Sequence, residues 1–156
     1  MIPSAVTYTN NDGISISFGS VDYPLTSFSM PTITKNEPVD KVQFPGRWPT
    51  YAYPEYREFH LGGDILGDDN IDYNTLLRAM KLAIQPPYRT YTARRHGKLD
   101  FVFYGDAVHY YSYVILNDFD SPKEANYPSV GVYTCTFSSF EPYLINATTG
   151  AFALDY

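Results

Sequence analysis

Four side-chain oxygen groups stand at alternate positions in Asp68-x-Asn70-x-Asp72-x-Asn74. That spacing matches the first ligands of a calcium loop, in which alternate residues aim oxygens at one hard cation. The full loop also needs glycine at its sixth position, for a sharp turn, and a bidentate glutamate at its twelfth. Those positions hold Tyr73 and Ala79. The two readings are an irregular calcium site and the start of a helix, and the residues favour the helix. Asp72 is assigned as the helix cap, and Asp68 and Asp69 complement the positive end of the helix dipole.

Other reactive side chains give no recognisable constellation. Cys135 is the only cysteine, so no intrachain disulfide forms. A thiol dyad with His60, His96 or His109 competes with a plain core role, and the position of Cys135 within an alternating aromatic strand favours the core. The histidines lack a metal-ligand spacing, and the chain has no phosphate loop, dinucleotide fingerprint or nucleophile elbow. The nearest glycine-rich stretch, Leu61 to Gly67, carries Asp64, which repels a phosphate. The 17 acidic residues sit in no motif for paired-carboxylate hydrolysis. The chain is therefore expected not to be an enzyme and to need no cofactor or metal.

What stands out is aromatic and uncharged. Aromatics make up 17% of the 156 residues, with 16 Tyr, while charged residues make up only 18%. Tyrosine is common in strands and at interfaces, and a low charge content suits a surface covered by partners. Tyr111, Tyr113 and Trp48 are candidates for stacking on a sugar, with strand packing as the competing role. The net charge of -6 disfavours specific nucleic-acid binding. Locally, Arg78, Lys81, Arg89, Arg94, Arg95 and Lys98 form a basic run, either a solvated hairpin or a contact for an acidic partner. The N-terminus does not read as a signal peptide, and no apolar run reaches membrane-spanning length, so synthesis in the cytosol and no membrane partner are expected. Asn146-Ala147-Thr148 fits a glycosylation sequon, which without a secretory signal reads as chance.

The elements that must position these residues follow from periodicity. Asn11-Asp12-Gly13 predicts a tight turn into a strand at 14–18, and 23–30 reads as extended. Residues 31–55 hold five prolines among aromatics and read as a long loop or arm, with room for a short strand at Val42–Phe44. Tyr56–Leu66 is a strand with Arg57, Phe59, Leu61, Gly63 and Ile65 on one face, and Gly62-Gly63 marks a bulge or a close backbone approach. The stripe Leu76, Leu77, Met80, Ala83 and Ile84 predicts one amphipathic helix at about 73–84, stopped by Pro86-Pro87. Strands follow at 88–93, 99–104, 108–117 and 130–140, the first three as a meander turning at Gly97 and Gly105-Asp106, with a loop at 118–129. Residues 143–156 read as a tail that either dangles or docks. The fold class is α+β, mostly β: one domain over 1–156, an antiparallel β-sandwich with the helix packed on it.

The order of these elements resembles the N-terminal domain of the distal tail proteins of long-tailed bacteriophages. The likeness rests on Phe44-Pro45-Gly46-Arg47, on Tyr56-Arg57-Glu58-Phe59-His60-Leu61-Gly62-Gly63, on the single helix and on the closing strands, over about residues 20–142. The resemblance implies a structural virion protein. Its relatives form six-fold rings around the tail channel, and a long arm clasps the neighbouring subunit. Carried over, the 31–55 arm and the 88–98 segment make inter-subunit contacts, with Phe44, Arg47, Trp48, Tyr51, Tyr53, Arg89, Arg94 and Arg95 as interface candidates. The implied partners are copies of the chain in a probable hexamer, tail-tube proteins, and tail-tip or baseplate proteins, with DNA passing through the ring unbound. The implied location is the virion tail, after assembly in host cytoplasm. Tail-tube subunits share a similar plan, and a carbohydrate-binding module is the alternative from another class. Many distal tail proteins carry a second, carbohydrate-binding-like domain, for which this chain is too short.

Overall fold

The computed structural model describes residues 2–36, 52–84, 96–105, 107–121, 129–139 and 141–153. Within them the order is β1 (Ala5–Asn10), β2 (Ser15–Phe18), β3 (Leu25–Ser29), β4 (Thr32–Asn36), β5 (Ala52–Leu66), α1 (Asn70–Ile84), β6 (His96–Val102), β7 (His109–Asp120), β8 (Val130–Ser139), β9 (Leu144–Asn146) and β10 (Phe152–Ala153). All pairings are antiparallel, and the main path runs β2-β1-β6-β7-β8-β5-β3. The fold is therefore α+β and mostly β, with a single helix among the described residues.

The strands of the main path form one continuous sheet that curls over its own core. Laid flat, the six steps from β2 to β3 would span about 29 Å at ~4.8 Å per strand. Yet the chain passes from Phe18 to Leu25 in seven residues, a reach of at most about 25 Å. The rings report the same closure. Phe59 of β5 stacks on Phe101 of β6 with centroids 5.3 Å apart, although three ladder steps separate their strands. Tyr8 of β1 meets Phe137 of β8 at 5.0 Å, and Phe18 of β2 meets Tyr133 of β8 at 5.3 Å. The apolar residues of alternate positions thus converge on one buried cluster.

Helix α1 lies against β1, β2 and β5. It buries Tyr73, Met80, Ala83 and Ile84, while Leu76 and Leu77 pack half-exposed at the cluster's edge. Two polar pins hold it: the Tyr23 hydroxyl donates to the Leu76 carbonyl at 2.8 Å, and Asn10 Nδ2 donates to the Ala83 carbonyl at 2.9 Å.

Several expectations are corrected in detail. The stretch Ala5–Asn10, not assigned from the sequence, is a strand between β2 and β6. The ends of the 31–55 segment are paired: β4 runs against the first residues of β5, with a register shift at Ile33/Thr34 where Pro54 enters the ladder. The proposed Val42–Phe44 strand and the strand at 88–93 lie outside the described residues. Gly97, expected as a turn, sits inside β6 because a Cβ there would strike the ring of buried Tyr8. At Gly62-Gly63 both expected features occur: the ladder with β3 shifts register between Leu25 and Ser27, opposite these two glycines, and a Cβ on Gly63 would meet the Pro24 carbonyl and the Tyr133 hydroxyl, while the ladder with β8 stays regular. Strand β7 runs on through Asp118–Asp120, past the expected loop boundary, after a register shift near Asn117. The C-terminal tail docks over residues 144–153 as the hairpin β9–β10, paired to β7.

Candidate assembly surfaces and an aromatic groove

The aspartates between β5 and α1 build a helix start. Asp69 Oδ1 accepts the Asp72 N–H at 2.8 Å, and the Asp69 carbonyl accepts the Tyr73 N–H at 2.9 Å. Asp69 is therefore the cap, and the assignment of Asp72 is corrected by one turn. Asp72 stands third in the helix and reaches back with Oδ2 to the Asp68 N–H at 2.9 Å. A cap bonds the amide three residues on, so the helix begins at Asn70 rather than at Tyr73. Among the described residues, no three His, Cys, Asp or Glu side chains come together as a metal site.

The interface candidates Phe44, Arg47, Trp48, Tyr51, Arg89, Arg94 and Arg95 lie outside the described residues. Tyr53 is placed at backbone level, opposite Lys35 in the β4–β5 ribbon. Cys135 is buried, and burial together with the Asp118 charge pushes its thiol well above the ordinary range, away from a reactive thiolate. His60 points elsewhere, with Nδ1 at 3.3 Å from Thr136 Oγ1 and Nε2 at 3.3 Å from Glu58 Oε2.

A groove of about 440 Å³ opens beside β7. Its origin is a mismatch of register. Strand β8 leaves β7 at Ser139↔Val114, and β9 rejoins it at Ile145↔Tyr111. Five residues of sequence separate these two pairs on one side and two, Ser112 and Tyr113, on the other, so the excess cannot all join the ladder. The lining includes His96, Ser112, Tyr113, Glu141, Tyr143 and Phe152.

Buried polar groups hold the 141–143 stretch in place. Arg57, on the apolar face of β5, is 1% exposed and donates from Nε to the Pro142 carbonyl at 3.0 Å. Its backbone N–H donates to Ser139 Oγ at 3.0 Å, and the Ser139 hydroxyl lies between the carbonyls of Arg57 and Glu141. On the other wall, Asn146 Oδ1 accepts the N–H groups of Thr148 and Thr149, closing the turn that returns Phe152 opposite Ile145. The sequon asparagine thus serves as a turn former. Tyr143 and Phe152 meet at 5.6 Å.

Of the three stacking candidates, only Tyr113 lines the groove. Tyr111 stands edge-on to it at 80° under the Lys98 ammonium, and Trp48 is outside the described residues. Tyr143 and Phe152 were missed because the tail gave no strand pattern; the signal present was the Asn146–Gly150 turn between two short apolar runs. Elsewhere, Val21 (87% exposed), Ile71 (77%) and Tyr104 (77%) present large apolar groups to solvent.

No protein-family model matches the sequence, and no curated protein matches it. Solved structures do match in fold. A chain in the structure of the phage P2 baseplate in its activated conformation with calcium is similar over 88% of this chain and 44% of that one, with a TM-score of 0.54 and 13% identity. This chain therefore spans less than half the length of that one. A chain in the tail of an empty GTA particle, solved with C6 symmetry, matches over 85% of this chain and 82% of that one, with a TM-score of 0.43 and 13% identity. At 13% identity the baseplate match establishes a shared fold.

Proposed function

We propose that this chain is a structural subunit of a bacteriophage tail, a ring-forming element joining the tail tube to the tip or baseplate. The observation that carries the reading is the fold shared with a phage P2 baseplate chain along 88% of this chain. The sequence supports it independently, through the element order and through an aromatic, weakly charged composition suited to covered surfaces. In a closed ring each subunit offers two different surfaces to its neighbours. Exposed Val21, and exposed Ile71 in the acidic first turn of α1, suit one of them. The 31–55 arm and the basic 78–98 run suit the other, in a ring of six. The acidic net charge fits a channel through which DNA slides without adhering. The chain works without catalysis or cofactor, within the virion tail, after assembly in host cytoplasm.

Cross-linking mass spectrometry on intact virions tests this reading. Cross-links from this chain to itself, to a tube protein and to a tip or baseplate protein are expected. Cross-links to itself and the tube alone would favour a tube subunit. Absence of the chain from purified virions would overturn the reading.

A further inference from the structure

We propose that the groove beside β7 is a binding site for a neutral saccharide, a role separate from ring formation. Sugars present a C–H face that packs on aromatic rings and an edge of hydroxyls that needs polar partners. The groove's lining supplies both kinds of surface: the rings of Tyr113, Tyr143 and Phe152, and the polar groups of Ser112 and Glu141. Tyr113 and Phe152 are 57% and 63% exposed, so their faces are open to a ligand. The volume of about 440 Å³ holds roughly one or two sugar rings.

Charge decides which sugars. Among the described residues no lysine or arginine lines the groove, Glu141 is the one carboxylate, and His96 is the one ionisable nitrogen base. The nearby Lys98 is engaged by Asp100 at 3.2 Å and lies over Tyr111. An anionic sugar thus meets the like charge of Glu141, while a neutral ring meets a carboxylate able to accept its hydroxyls. An apolar strand from a second copy would instead bury the Glu141 carboxylate at a cost. The site is also pre-formed, because buried Arg57 and Ser139 fix the 141–143 wall and Asn146 fixes the turn to Phe152. Such rigidity limits the entropy lost on binding.

The test is saturation-transfer NMR with affinity titration of the full chain. The probes are neutral oligosaccharides of glucose, galactose, rhamnose and N-acetylhexosamine, with sialyllactose as the anionic comparison. Saturable binding of at least one neutral probe, tighter than sialyllactose, is expected. Tyr113→Ala and Phe152→Ala should each weaken it about fivefold, the equivalent of one lost ring contact. Tyr104→Ala, an exposed tyrosine outside the groove, should leave it unchanged, and unaltered melting curves should accompany all three variants. No saturable neutral probe, a preference for sialyllactose, or binding indifferent to both groove substitutions would overturn the proposal. None of these outcomes bears on whether the chain forms rings.

Discussion

Replacing Asn10 should detach the helix from the sheet that carries it. Asn10 is buried at the end of β1, and its side chain makes three hydrogen bonds. Nδ2 donates to the Ala83 carbonyl in the last turn of α1, and Oδ1 accepts the N–H groups of Asp12 at 2.8 Å and Ile14 at 3.0 Å. Asn10→Ala removes all three. A net bond contributes about 1 kcal/mol, and the two turn amides recover part of theirs from water. The Ala83 carbonyl lies under the helix and recovers less. A loss of about 2–3 kcal/mol follows, which for a domain of this size lowers Tm by roughly 5–10 °C. Asn10→Asp keeps the acceptor, removes the donor and places a carboxylate beside a carbonyl, so it should cost at least as much. Urea denaturation followed by far-UV circular dichroism reads both variants, with Val21→Ala, at a position 87% exposed, as the reference. If Asn10→Ala falls within about 0.5 kcal/mol of that reference, the typical surface scatter, the pinning role of Asn10 is wrong.

At the helix start, Asp69→Ala should cost about 1 kcal/mol in the same assay and Asp72→Ala less, since only Asp69 fills the cap position; the reverse order would restore Asp72 as the cap. Gly63→Ala drives a methyl into the Pro24 carbonyl and the Tyr133 hydroxyl, and should cost about 2–3 kcal/mol by overpacking, read as a lowered urea midpoint. Burial pushes Tyr8 up from 10.0 to about 12, and burial with the Asp22 and Asp72 charges does the same for Tyr23. The folded chain thus keeps protons that the unfolded chain releases above pH ~10. Stability should hold below that pH and fall as pH rises toward 12, as urea midpoints across the alkaline range would record; midpoints flat in that window would refute the shifts.

Legibility in the sequence tracked locality. The helix was readable because Leu76, Leu77, Met80, Ala83 and Ile84 repeat at its own period, and its start slipped one turn because Asp69 and Asp72 are equally good caps on paper. The strand Tyr56–Leu66 showed its buried face, Arg57 included, by simple alternation. Strand β1 was hidden because Asn10 occupies an inward position that sequence reads as polar, and its acceptor lies 73 residues away. The ends of the 31–55 segment were masked by their prolines, which the ladder tolerates through a shifted register. The groove was legible only at Tyr113. Its other rings come from a hairpin too short to show a period, and its shape comes from a five-against-two register that exists only once β7, β8 and β9 are paired.

The most direct measurement of the central claim is the mass and shape of the purified chain, alone and mixed with its tail-tube partner, by light scattering and negative-stain microscopy. The account predicts closed rings with an open centre and a mass several times 17.7 kDa, formed by the chain alone or on the tube. A monomer at every concentration, unchanged by the tube protein, would contradict it.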